Sequence, residues 1–191
     1  MADELNSVKK GRYHHGDLRA ALLDAAEALL GERGVDGFSL RECARRAGVS
    51  PAAPAHHFGD ARGLLTALAT RAFAALTDAL AAAPVTDEPV ADLHALGAAY
   101  VGFALARPAL FDLMWRRALL SGDDPAFIAA ADAAFDPLAQ AVARVTGGAP
   151  DRADVMAAWS MVHGYARLAL DGAVPPQTRP PLAEVVRRLT L

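Results

Sequence analysis

Apolar residues recur every three or four positions along most of the chain, and no segment alternates with a period of two for long. This pattern predicts an all-α protein. The first helix is expected over 17–33, with Asp17 as its cap and Gly34 ending it. Its apolar face holds Leu18, Leu22, Ala25, Ala26, Leu29 and Leu30.

The next helix is short, and its start is marked in the sequence. Ser39 and Glu42 have the spacing of a capping box, in which each side chain satisfies a free backbone amide. The helix is predicted over 40–47, and Gly48 ends it.

A second short helix follows after one turn. Ser50 and Pro51 are typical of a cap and a first helical residue, because proline at that position loses no hydrogen bond. Pro54 would then be the fourth helical residue, where proline removes a backbone bond. The first turn of this helix is therefore expected to be tight or distorted.

Longer helices are predicted for the rest of the chain. The fourth begins at Asp60 and runs to about residue 83, and 84–89 is the first linker. Further helices are expected near 89–106, 108–121, 124–146, 151–172 and 180–189, separated by segments rich in glycine and proline. The longest apolar stretch, 96–106, is too short to span a bilayer and is interpreted as a buried helix.

The distribution of charge along the chain is more informative about the class of protein than the net charge of −3. Residues 9–71 carry ten Lys or Arg against seven Asp or Glu, whereas 72–191 carry nine against thirteen, so an anionic partner is favoured near the start. The first residues lack the apolar segment of a secretory signal, and the single cysteine, Cys43, excludes an intrachain disulfide. We therefore expect a cytoplasmic protein.

The two short helices around Gly48-Val49-Ser50 form a helix-turn-helix signature. In such a motif the start of the second helix meets base edges in the major groove of DNA. The small residues Ala52 and Ala53 would let its backbone come close to the bases. The alternative is an ordinary helical hairpin inside a bundle.

The segment 13–69 closely resembles the DNA-binding domain of the tetracycline-repressor (TetR) family. Three motifs carry the resemblance in the right order: G-V-D-G-F-S-L-R-E at 34–42, A-R-R-A-G-V-S at 44–50 and H-H-F-G-D at 56–60. The resemblance implies a flexible basic arm over 1–12 and a three-helix DNA-binding domain over 13–72, with its motif at 39–58. It also implies a helical domain over 73–191 that binds an effector and forms a homodimer.

The resemblance places the DNA contacts on the motif, on its flanking helix and on the arm. The expected contact residues are Lys9, Lys10, Arg12, Ser39, Arg41, Arg45, Ser50, Pro51, Ala52, Ala53, Ala55, His56, His57 and Arg62. For the arginines, a solvated helix face is the alternative. The chain departs from the family pattern at Ala55 and Ala61, where a tyrosine and a lysine usually contact phosphates, which puts the strength of DNA binding in doubt. Cys43 holds a core position and is interpreted as packing.

The C-terminal half is less informative. Ala157 to Leu170 resembles the Trp–His–Gly signature of one C-terminal subfamily, through Trp159, His163 and Gly164. The candidates for an effector pocket are Phe103, Leu110, Phe111, Met114, Trp115, Phe127, Trp159 and His163, although the same residues would equally make a plain core. By resemblance the dimer interface uses the last two helices, with Val155, Ala158, Val162, Leu182, Val185, Val186 and Leu189 as candidates.

These patterns together favour a cytoplasmic homodimeric transcription regulator, most simply a repressor that a small apolar or aromatic ligand releases from a palindromic operator in double-stranded DNA. No catalytic residue, cofactor or membrane segment is expected. No metal site is expected either, since the two histidines in each of the pairs 14–15 and 56–57 point to different helix faces. The alternative function is a helical module that binds a small molecule or a partner and whose DNA binding has weakened. An α-helical enzyme is a third and poorly supported possibility.

Overall fold

The structure, a computed structural model, describes residues 15–149 and 151–188, and side chains from residue 18 onward within those ranges. The described residues form nine α-helices and one short 3₁₀ turn, Arg117–Leu119, without a strand. The helices are α1 His15–Arg33, α2 Leu40–Arg46, α3 Ala53–Phe58, α4 Ala61–Ala81, α5 Pro89–Ala106, α6 Pro108–Trp115, α7 Pro125–Thr146, α8 Arg152–Leu170 and α9 Leu182–Val186. The predicted all-α class is confirmed.

Several helix starts are set by local side chains, although α1 begins at His15, so that Asp17 lies inside the helix and is not its cap as predicted. Asp60 accepts a hydrogen bond from the amide of Gly63 at 2.8 Å, and Asp124 and Asp151 cap α7 and α8 in the same way. At α2 only half of the capping box forms. The Ser39 hydroxyl accepts from the amide of Glu42 at 3.4 Å, while the Glu42 carboxylate is bound by arginines instead.

The start of α3 differs from the prediction. Ser50 and Pro51 form a separate turn, in which the amide of Ala53 donates to the carbonyl of Ser50 at 3.0 Å, and the helix begins only at Ala53. Pro54 is therefore the second helical residue, where a backbone amide has no partner within the helix. The expected distortion is avoided because the helix starts later.

Two other predicted helices are shorter than expected. The helix over 108–121 ends at Trp115 and continues as the 3₁₀ turn, and the one over 180–189 is reduced to Leu182–Val186. Residues 189–191 lie outside the described residues.

The long helix α4 organises the molecule. It packs against α1 and α3 near its start and against α5, α6 and α7 farther along. One continuous hydrophobic core therefore runs from α1 through α4 to α9. Cys43 is fully buried in this core, and burial raises its thiol pKa to about 11.

Three helices, α4, α5 and α7, are by length and composition apolar enough to cross a membrane. These three helices all pack against one another in the fold. Half of the apolar window of α4 is buried there, but only 39% of that of α5 and 17% of that of α7.

The junction between α3 and α4 is unusually close. A Cβ atom added at Gly63 would lie 1.9 Å from the carbonyl oxygen of Phe58, the last residue of α3. The missing side chain therefore lets the end of α3 sit directly on the first turn of α4. Motion of α4 at this point must carry α3 with it.

We expect Gly63→Ala to lower the free energy of unfolding by about 1–3 kcal/mol, the usual cost of forcing atoms into a packed site. Gly102→Ala is the matched control, since Gly102 is an exposed helical residue whose added Cβ meets nothing within 4 Å. That substitution should instead stabilise the protein, by about 0.5–1 kcal/mol. Urea unfolding of both variants checks the prediction, and equal effects would contradict it.

Candidate nucleic-acid interface and ligand cavity

The turn between α2 and α3 has the geometry of a helix-turn-helix. Gly48 has φ of +68°, a conformation that side chains disfavour, and it lets the chain reverse directly after α2. The amide of Val49 then donates to the carbonyl of Ala44 at 3.0 Å. Cys43, Ala44 and Pro54 turn inward and are buried, so the opposite side of the motif faces outward.

The outward side of α3 and its preceding turn carries small or polar residues. Ser50, Pro51, Ala52, Ala55 and His56 are exposed, and Ala53 and His57 are half-buried. Such a surface allows a helix backbone to approach the base edges of a major groove without steric hindrance. Ser39, at the start of α2, is also half-buried and bonded to its own helix.

The arginines of α2 fall into two groups that the sequence could not separate. The guanidinium of Arg45 donates twice to the Glu42 carboxylate, at 2.8 and 2.7 Å, and Arg46 binds both Glu32 and Glu42. These bonds hold the pKa of Glu42 at about 2. Arg41 is exposed and pairs with no acidic side chain among the described residues, so it is the cation of α2 available to a phosphate.

Arg62 is exposed, and one nitrogen of its side chain is also bonded within the protein. Its guanidinium donates to the carbonyl of Leu120, in the C-terminal half of the chain, at 2.8 Å. One turn later the hydroxyl of Thr66 accepts from the amide of Ser121 at 2.9 Å. We call these two contacts the α4 bridge. They use the guanidinium that was expected at a phosphate to hold the first turns of α4 against the segment before α7.

The predicted contact residues of the arm, Lys9, Lys10 and Arg12, lie outside the described residues.

A cavity of about 200 Å³ lies inside the C-terminal helices, between α4, α5, α7 and α8. Aromatic and aliphatic side chains form most of its wall, which also contains the charged side chains of Arg117 and Asp132 and the imidazole of His94. The aromatic part of the wall consists of Phe73, Tyr100, Trp115, Phe135 and Trp159. Both tryptophans of the chain are in this set.

The predicted pocket residues are only partly on this wall. Trp115 and Trp159 line the cavity, but His163 lies behind it. Phe103, Leu110, Phe111, Met114 and Phe127 are instead closely packed in the core, each less than one-tenth exposed. Helical periodicity shows which face of a helix is apolar, but it does not show where neighbouring helices leave a void.

The wall contains a hydrogen-bonded cluster at Tyr100. Its hydroxyl lies 2.8 Å from Nδ1 of His163 and accepts a longer bond, 3.3 Å, from the indole N–H of Trp159. Burial lowers the pKa of His163 and raises that of Tyr100, so both groups are neutral, and the tautomer of the imidazole sets which of them donates. The indole nitrogen of Trp115 is buried without a partner among the described residues.

The predicted dimer residues are mostly unavailable at the surface. Val155, Ala158, Val162 and Val186 are buried within the protomer, where they pack in its core, so they cannot line a seam between two copies. Leu182 and Val185 are half-buried, and Leu189 lies outside the described residues. The outward side of α8 instead presents Met156, Ala157, Ser160 and Leu168.

Two family profiles match this chain. Residues 22–68 match "Bacterial regulatory proteins, tetR family", and residues 93–190 match "Tetracyclin repressor-like, C-terminal domain". The chain belongs to the TetR family. It is a DNA-binding transcription regulator, as the sequence predicted.

Solved structures of similar proteins agree with this assignment. A protein of unknown function from Rhodococcus sp. RHA1 is 40% identical over 94% of both chains, with a TM-score of 0.77. The TetR-family regulator PfmR from Thermus thermophilus is 23% identical over 87% of this chain and 93% of its own, with a TM-score of 0.63. The multidrug-binding protein EbrR, solved with imidazole, is 22% identical over 91% and 94%, with a TM-score of 0.66. No curated protein matches.

In this TetR-family regulator, no group of three or more His, Cys, Asp or Glu side chains within 15–149 and 151–188 is placed to hold a metal ion. The two histidines of α3 lie side by side, with ring centroids 5.6 Å apart, and neither is joined by a third ligand.

Arg41→Ala should weaken DNA binding more than Arg45→Ala does, because Arg45 is already neutralised by Glu42. The two substitutions remove the same charge, so a difference reports a contact and not the net charge. For Arg41→Ala the slope of log affinity against log salt should shrink by about 1, the value for one lost phosphate contact, and Arg45→Ala should leave it nearly unchanged. Titrations with duplex DNA at several salt concentrations measure both slopes, and equal slopes in the two variants would refute the distinction.

His163 should make the fold sensitive to acid. Its pKa is lower in the folded than in the unfolded chain, so the folded state binds fewer protons and stability falls as the pH drops below about 6.5. His163→Gln keeps a hydrogen-bonding partner for the Tyr100 hydroxyl and should flatten this dependence. The measurement is the free energy of unfolding at pH 5 to 8. His94→Gln, at a half-buried histidine outside this cluster, is the control and should retain the wild-type slope.

Proposed function

We propose that this regulator is a homodimeric repressor, acting in the cytoplasm, that a small aromatic or apolar ligand releases from a palindromic operator. The single observation that carries the proposal is the aromatic cavity, whose wall includes the helix α4 that also supports α3. EbrR, a structural neighbour, is described as a multidrug-binding protein and was solved with imidazole, which supports a ligand role for the C-terminal helices.

The dimer follows from the needs of DNA recognition. One protomer presents one recognition helix, whereas a two-fold dimer presents two to half-sites one helical turn apart or a multiple of it. The outward side of α8 supports this assembly, because Ala157 and Ser160 are small and exposed while Met156 and Leu168 are each about half exposed. Close packing of two such faces would bury apolar surface that one protomer leaves in water.

The α4 bridge supports a physical connection between ligand and DNA. Arg117 is on the cavity wall, and three residues later the carbonyl of Leu120 holds Arg62. Gly63 in turn holds the end of α3 against the start of α4. A ligand that moves the turn containing Arg117 would therefore change the position of the recognition helix. The proposed division between the domains, at residue 72, lies inside α4.

The alternative function is a ligand-binding or partner-binding module with weak DNA binding, and one observation favours it. Ala55 and Ala61 offer no side chain for a phosphate, and Arg62 is bound to Leu120. The start of α4 therefore presents a single cation, Arg62, one nitrogen of which is already bonded within the protein. Affinity then depends on this cation, on Arg41 and on the basic residues before the described region.

A gel-shift experiment separates the two functions. The probe is duplex DNA from the promoter region next to the protein's own gene, with and without excess non-specific competitor. A complex that persists in excess competitor supports the function of a transcription regulator. A complex that is lost at the same competitor concentration as a complex with scrambled DNA supports the alternative, a module with weak DNA binding. Light scattering at micromolar concentration tests the dimer, and a monodisperse monomer would contradict it.

Thr66→Val should weaken the ligand response without weakening operator binding. The substitution keeps the volume but removes the acceptor of the Ser121 amide, so the α4 bridge loses one of its two contacts. A typical coupling lowers operator affinity about 5- to 150-fold, and this factor should fall several-fold in the variant.

The measurement is operator affinity with and without an aromatic compound that raises the melting temperature of the wild type. Thr70→Val is the matched control, because the Thr70 hydroxyl bonds only to its own helix, at the carbonyl of Thr66. If the two variants respond alike, the α4 bridge does not carry the coupling.

A further inference from the structure

We infer that the cavity takes a neutral aromatic ligand of one or two rings that carries a hydrogen-bond acceptor oxygen, and that Trp115 recognises this oxygen. This inference rests on the proposed function, since it names the class of effector for the same cavity. Size, wall chemistry and charge each support it independently.

The volume limits the ligand to a small ring system. A cavity of about 150 Å³ in another protein binds benzene. The cavity here, about 200 Å³, is therefore large enough for one substituted ring or two fused rings. It is smaller than the pockets of about 300–1,000 Å³ that hold drug-sized ligands.

The wall favours a flat ring because its aromatic side chains contact one another, two pairs of them edge to face and one pair tilted. Trp115 lies across Phe73 at 5.6 Å between ring centroids and beside Trp159 at 5.4 Å. Phe135 meets Trp159 at 5.9 Å from the other side. A ligand ring can continue this pattern, which is favourable beyond the burial of apolar area.

The hydrogen-bonding groups of this wall lack an acceptor and not a donor. The Tyr100 hydroxyl is already bonded to both His163 and Trp159, whereas the N–H of Trp115 has no partner among the described residues. A buried donor without a partner is costly, and a ligand oxygen would satisfy it. Because this nitrogen is closed off in the ligand-free protein, the Trp115 indole must turn toward the ligand.

The charges on the wall cancel. Arg117 and Asp132 contribute one charge of each sign, and the wall also contains His94. An anionic ligand would be attracted by Arg117 but repelled by Asp132, and a cationic ligand would be attracted by Asp132 but repelled by Arg117. A neutral ligand avoids both repulsions, and its uncharged ring suits the apolar interior.

The test compares two probes of the same shape. Acetophenone carries a carbonyl oxygen, and 2-phenylpropene has a methylene group in its place. Benzoate and benzylammonium test the two charged classes. The protein is labelled with ¹⁵N, and its two tryptophans give two indole N–H signals, assigned with Trp115→Phe and Trp159→Phe.

We expect acetophenone to bind about threefold to tenfold more tightly than 2-phenylpropene, the effect of one hydrogen bond. It should also shift the Trp115 signal more than the Trp159 signal. The Trp115→Phe variant should bind acetophenone and 2-phenylpropene with about equal affinity, whereas the Trp159→Phe variant should still prefer acetophenone. The shift in the wild type is independent of whether either variant folds less well.

Equal affinity of the wild type for the two neutral probes, tightest binding of either charged probe, or failure of all four probes to bind would overturn the inference. A preference that persists in Trp115→Phe would overturn the role of that residue. The gel-shift with unliganded protein is independent of every one of these results, so the proposed function can survive while the ligand class fails.

Discussion

The structure depends on the continuous packing of α4, a single helix that belongs to both halves of the molecule. Leu64 and Leu68 near its start are fully buried with α1 and the motif, while Phe73 and Leu76 farther along are buried beside the cavity. A helix of 21 residues is about 30 Å long and stiff along that length. No solvated linker separates the two ends, so a change in packing at one end cannot be absorbed before it reaches the other.

The sequence predicted the elements whose signals are local. Asp60 marked the start of its helix because a cap needs only a few neighbouring residues, and the helices predicted from near 89, 124 and 151 begin within one residue of those positions. The start of α3 was wrong for a related reason. Either Pro51 or Pro54 can lie in the first turn of a helix. Only the conformation of the preceding turn decides which of them does so, and here it is Pro54.

The site was harder to predict because its contacts join distant segments. The acceptor of Arg62 is a backbone carbonyl 58 residues away, and every residue has such a carbonyl, so no sequence pattern identifies the right one. The same limit applies to α8. The family resemblance placed the dimer seam on this helix and its apolar residues were then the candidates, but α8 has two apolar sides, and Val155 and Val162 face the protomer core. Composition distinguishes apolar from polar faces and does not rank two apolar ones.

The burial of Cys43 has a consequence for the signals that this chain can detect. Sensors of peroxide or electrophiles use a thiolate that solvent reaches, and here the sole cysteine sulfur is enclosed and remains protonated at neutral pH. Oxidative stress therefore has no cysteine through which to act on the folded protomer. The packing around Cys43 therefore argues against sensing by thiol oxidation and is consistent with a signal that arrives as a reversibly bound ligand.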